Sequence, residues 1–160
     1  VSTTDSTTAD TARSAAAGDS SASVAALPAV GAWAAAARRH EELFAPLDPG
    51  ARVALLSRAS PQRVLVWEAG DGRIEARLEP FGGYSSSAAD IVLSADDESL
   101  AELCLATGGA AGDRLFEVLR AGIRSGHIVC YMLKRRCVLE ERGFDELLDA
   151  LGFAFMGACR

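Results

Sequence analysis

A few clusters in the sequence carry side chains capable of chemistry. His127 and Cys130 form an HxxC, with Cys137 two helical turns beyond. If that segment is helical, the three fall within reach of one face and could offer nitrogen and sulfur to a metal ion. The set has no fourth ligand at a defined spacing and no carboxylate at i+4, so packing is the preferred reading. The same Cys and His could pair as nucleophile and base, but no third residue can be named to orient the imidazole. Asp96, Asp97 and Glu98 stand where a helix begins, and the positive end of its dipole accounts for them without catalysis. Ser85-Ser86-Ser87 lacks the G-x-S-x-G of a nucleophile elbow. Gly108-Gly109-Ala110-Ala111-Gly112 lacks both the preceding strand and the Lys-Ser/Thr ending of a phosphate loop. No catalytic residue, metal or cofactor is assigned.

The elements that would position these residues come from one chain of 160 residues, enough for a single domain with a useful core. Hydrophobic residues at 49% and charged residues at 24% are ordinary globular proportions, so a packed domain is expected. A net charge of −6 argues against a general nucleic-acid binder, because phosphate contacts need a basic face. Four cysteines without a CxxC pair suit a reducing, cytoplasmic setting with thiols acting as small hydrophobes. The longest apolar runs, 28–37 and 150–159, are well short of the roughly 18–20 residues a membrane span requires. Residues 1–26 are almost all Ser, Thr, Ala and Gly, too poor in apolar surface to offset the entropy of ordering, so a disordered tail is expected there. The folded domain is expected over 27–160.

Val30, Trp33, Ala37 and Phe44 recur at helical spacing, which predicts a helix over 29–47 ended by Pro46 and Pro49. Val53 to Leu56 fits a strand. Arg63 to Ala69, the Gly70-Asp71-Gly72 turn and the alternating RIEARLE predict a β-hairpin with Ile74, Ala76 and Leu78 inward and an Arg/Glu face in water. ADIVLS predicts another strand, and Ser94 or Asp96 caps a helix running to Ala106. A helix from Asp113 to Arg120 follows. Gly122-Ile-Arg-Ser-Gly126 then reads as a short edge strand, His127 to Arg136 as a covering helix, and Phe144 onward as a terminal helix with Leu147, Leu148 and Leu151 on one side. The order implies an α+β fold: a mostly antiparallel sheet with helices on one face.

The segment from Val64 to Leu133 resembles the sterol carrier protein 2 (SCP2-like) family. The features are the hairpin, ADIVLSADDESLAEL, a Gly-rich loop, the helix RLFEVLRAG with Phe116, and the glycine-bounded GIRSG before an apolar stretch. The resemblance implies a five-stranded sheet with helices on one face and a tunnel between them for sterols, fatty acids, acyl-CoA or other apolar molecules.

Trp67, Leu78, Phe116, Leu119, Ile128, Tyr131, Met132 and Phe144 are the candidate lining of such a cavity, with a close-packed core as the alternative for the same residues. Lys134, Arg135 and Arg136 form the one concentrated basic patch, suited to an anionic membrane surface or an acidic partner. Phe153 and Phe155 close the chain as a lid or a docking surface. The expected function is non-enzymatic binding or carriage of a lipophilic small molecule. The alternatives are a partner-binding module with a filled core and an accessory protein for a lipid-pathway enzyme.

Overall fold

The computed structural model describes residues 25–109 and 114–154. Residues 1–24 of the expected tail lie outside that range. Ala25 and Ala26 belong to the fold: Ala25 packs on the core, and the Ala26 carbonyl accepts a 3.4 Å hydrogen bond from Cys104 Sγ.

Helix α1 (Val30–Arg39) and the single turn α2 (Glu41–Phe44) replace the one long helix expected, because the chain leaves helical geometry at His40. Four strands follow: β1 (Arg52–Ser57), β2 (Arg63–Ala69), β3 (Ile74–Pro80) and β4 (Ile91–Ala95). Helices α3 (Asp97–Thr107) and α4 (Leu115–Ser125) lead to β5 (Ile128–Met132), and α5 (Arg136–Glu141) and α6 (Asp145–Ala150) come last. The sheet order is β3-β2-β1-β4-β5. Three of its neighbouring pairs are antiparallel, but β1 and β4 run parallel, so the sheet is mixed.

The hairpin β2–β3 forms where period-two patterning and the Gly-rich turn placed it, with Ala69 opposite Ile74. Asp96 caps α3 by accepting the Ser99 amide at 2.9 Å. The region after α3 differs from expectation. Gly122-Ile-Arg-Ser is the last turn of α4, not a strand, and Gly126 ends that helix in the left-handed conformation at φ 82°. Gly122 lets α4 approach the sheet, since a Cβ there would meet Ile128 Cδ1 at 2.6 Å. The expected covering helix from His127 is therefore strand β5, an edge of the sheet.

One face of the sheet carries Val53, Leu55, Leu65, Trp67, Ile91, Leu93 and Ile128, and all six helices pack residues onto it. Trp33 of α1 stacks on Trp67 of β2 with ring centroids 3.9 Å apart, and Trp67 Nε1 donates to the Trp33 carbonyl at 2.8 Å. The other face is not simply wet. To pass from edge strand β3 to β4 the chain must cross β2 and β1, and residues 81–90 do so over a second apolar cluster of Ala54, Leu56, Val64, Val66 and Val92. Beyond it, Arg52 and Arg77 alternate with Glu68 and Glu79 in an ion-pair lattice. Burial alone would raise the Glu79 carboxyl, but hydrogen bonds from Arg77 and Arg52 outweigh it and hold the group below its ordinary value.

Between α5 and α6, Gly143 has φ 82°, and a Cβ there would lie 1.9 Å from the Pro46 carbonyl oxygen. Gly143→Ala combines left-handed strain of about 1–2 kcal/mol with a backbone clash of about 1–3 kcal/mol. Urea unfolding should show a loss of about 3 kcal/mol or more, whereas a loss under 1 kcal/mol would mean that the two segments separate without cost.

Candidate functional site

An open groove of about 390 Å³ lies between α1–α2 and the β2–β3 turn. Local sequence explains its shape. Pro46 and Pro49 prevent the chain from continuing as a helix, and the connection back to the sheet is tied by Gly50 N–H to the Ala69 carbonyl at 2.7 Å. Opposite, residues 70–73 make a turn closed by Gly70 N–H to the Arg73 carbonyl at 2.8 Å, with Gly72 at φ 73°. Small residues on both walls leave volume unfilled. Ala37, Phe44 and Leu47 form one side of the apolar floor, and Ala69 and Ile74 the other. Phe44 meets Trp67 edge to face at 5.0 Å, so the floor rests on the tryptophan stack.

The rim carries both signs: Arg38 and Glu41 on the helices, Asp71 and Arg73 on the turn. Arg73 is paired with Glu75 at 3.2 Å. Its polar lining consists of these four charged side chains, and the rest of the groove offers shape and apolar surface.

None of the residues expected to line a cavity lines this one. Trp67, Phe116, Leu119, Ile128 and Phe144 are buried within the main core, and Leu78 and Met132 are half-buried against it at opposite edges of the sheet. Tyr131 lies on the other face, 40% exposed, with its ring 4.5 Å from Tyr84, so it lies outside any cavity beneath the helices. Phe116 also borders a shallow depression with Glu117, Arg120, Ala121 and Arg124. Lys134 and Arg135 are exposed just beyond β5, while Arg136 opens α5 and bonds Glu140 at 3.0 Å. Phe153 is half-buried on the core, and Phe155 is outside the described residues. Sequence reasoning missed the groove floor. Its one available signal was a Gly-Asp-Gly turn (Gly70 to Gly72) on a strand next to a helix broken by proline.

His127 and Cys130 do not share a helical face. His127 precedes the strand and points with Val129 and Tyr131, while Cys130 points to the helical side. Burial pushes the Cys130 thiol up to about 12, far from a thiolate at neutral pH. Among the described residues no three His, Cys, Asp or Glu side chains are grouped to hold a metal ion. Among them, too, no helix is long and apolar enough to cross a membrane.

His127 Nδ1 instead meets Asp96 Oδ2 at 2.6 Å, while Asp96 N–H donates to the His127 carbonyl at 3.1 Å. That hydrogen bond raises the imidazole above its ordinary value. Desolvation pulls the Asp96 carboxyl upward, but the Ser99 amide and His127 outweigh it and hold the group lower than usual. Searches with family models and against curated proteins give no match to this chain.

A raised folded-state histidine contributes fully below about pH 6.5 and loses its contribution as pH rises through the folded value. A depressed aspartate contributes fully above about pH 4 and loses its contribution as pH falls through the folded value. The pair therefore acts between about pH 4 and 6.5. The Tm difference between wild type and His127→Ala should be largest in that window and shrink above pH 8. A difference independent of pH would assign His127 a packing role only.

Proposed function

We propose that the protein is a non-enzymatic binding domain for an apolar small molecule, of the kind the SCP2-like resemblance implies, with the ligand in the groove between α1–α2 and the β2–β3 turn. The observation that carries the reading is the groove: about 390 Å³ above an apolar floor, within the roughly 300–1,000 Å³ usual for small-molecule sites. A five-stranded sheet covered by helices is also the architecture that the resemblance implies. A ligand burying about 200 Å² of apolar surface there would gain about 5 kcal/mol before the cost of immobilisation. The charged rim would hold a polar headgroup outside the floor. Lys134 and Arg135, at the other edge of the sheet, would serve delivery to an anionic membrane surface or to an enzyme of lipid metabolism. The free thiols of Cys104, Cys130 and Cys137 suit a reducing cytoplasm.

A second reading rests on a different observation. All of the residues first expected around a tunnel except Tyr131 belong to one packed core or lie against it, which favours a filled-core module that binds a protein partner. The two are separated by Ala45→Trp, which places an indole in the groove from an exposed position and leaves the core untouched. For a ligand-binding groove, affinity for a fluorescent fatty acid falls about tenfold or more with Tm unchanged. Wild type that neither binds the probe nor carries an apolar molecule in native mass spectrometry excludes the small-molecule reading.

A further inference from the structure

Strand β5 is an edge of the sheet without the usual protection against pairing. From Ile128 to Met132 it has no proline, charge or bulge, and its neighbour β4 is paired in continuous register from Ala95↔Ile128 to Ile91↔Met132. Leu133 N–H donates to the Asp90 carbonyl and Asp96 N–H to the His127 carbonyl, so the odd-numbered residues of β5 bond inward. The backbone groups of Ile128, Cys130 and Met132 consequently turn outward. Among the described residues outside the sheet, none bonds to them. On the face away from the helices the same strand exposes Val129 and Tyr131, at 37% and 40%, with Tyr84 beside them at 37%.

We infer that β5 pairs antiparallel with β5 of a second copy, joining two sheets of five strands into one of ten. The strand is self-complementary about Cys130. A two-fold axis there sets Ile128 opposite Met132 of the second copy and Cys130 opposite its own counterpart, so every outward-turned residue meets an outward-turned residue. On the exposed face Val129 comes to lie opposite Tyr131 of the second copy in a close, non-hydrogen-bonded pair, which removes both from water.

Charge selects this direction. Lys134 and Arg135 follow the end of β5, while Asp96, Asp97 and Glu98 open α3 beside its beginning, where Asp96 holds His127 and the carboxylates outnumber the one arginine there, Arg58, which bonds the His127 carbonyl at 3.2 Å. The antiparallel arrangement brings the basic end of each copy towards the acidic end of the other. A parallel one would set basic against basic. The contact engages Lys134 and Arg135 but none of the groove lining, which lies at the opposite edge of the sheet, so ligand binding in the groove and pairing at β5 can each fail without the other.

Sedimentation equilibrium at micromolar concentrations of the full chain should give twice the 16.7 kDa chain mass. Val129→Lys puts a charge on the exposed face without disturbing the core. It should weaken the dimer about tenfold or more while circular dichroism and Tm stay unchanged. The double variant Val129→Cys, Tyr131→Cys should form an intermolecular disulfide under mild oxidation, whereas Val30→Cys, equally exposed but on α1 over β2 and β3 at the other side of the sheet, should not. A monomeric wild type overturns the inference, as does a dimer indifferent to Val129→Lys or no preferential cross-link at the 129 and 131 positions.

Discussion

Strands β1 and β4 run parallel, so no tight turn can set their register, yet the centre of the sheet depends on it. Asp90 supplies the constraint. Its carboxylate is buried, accepts the Arg52 amide at 2.8 Å and pairs with Arg142 at the end of α5. Its own amide donates to the Arg52 carbonyl, and its carbonyl accepts from Leu133 just past β5. One residue thereby fixes the start of β1, the start of β4, the end of β5 and the last helical pair. A buried carboxylate is costly unless every oxygen is satisfied, and here the two oxygens are divided between a backbone amide and a guanidinium. Arg142 also holds the chain after α2, since its carbonyl accepts the Asp48 amide at 3.0 Å. The wall of the groove is thus tied to the same junction as the centre of the sheet.

The crossover that the parallel pair demands has a second effect. Residues 81–90 cover the sheet where the helices do not, so the central strands are dry on both sides except where Arg52 and Glu68 enter the ion-pair lattice. Only the outer parts of β3 and β5 remain exposed, and they are treated differently. On β3 the exposed face is occupied by the Arg/Glu lattice, whose charges discourage stray pairing. On β5 the exposed face is apolar.

How much of this was legible in the sequence follows from how each element is stabilised. The hairpin was readable because Ile74 to Glu79 alternates over one dry and one wet face. Helix α3 was readable because Asp96, Asp97 and Glu98 mark its beginning. The α4–β5 boundary was not. Gly122 looks like a breaker, but its role is close approach to Ile128, a contact absent from local sequence. Ile-Val-Cys-Tyr-Met shows no alternation because the outward residues Val129 and Tyr131 are themselves apolar, so the periodicity that marks an exposed strand is hidden. The groove was still less legible. Aromatic and sulfur-bearing residues suggested a cavity, but such residues fill space, and a cavity forms where alanine, glycine and proline leave it empty.

The tryptophan stack has a consequence for how folding can be observed. Trp33 belongs to the helical layer and Trp67 to the sheet, and they are the only two tryptophans in the chain. With their rings nearly parallel, at 4°, their electronic transitions must couple, and that coupling exists only while the layers are docked. The near-ultraviolet optical activity of the protein is therefore a direct gauge of layer contact, separable from the backbone signal of helices and strands that could persist in a loosened, swollen state.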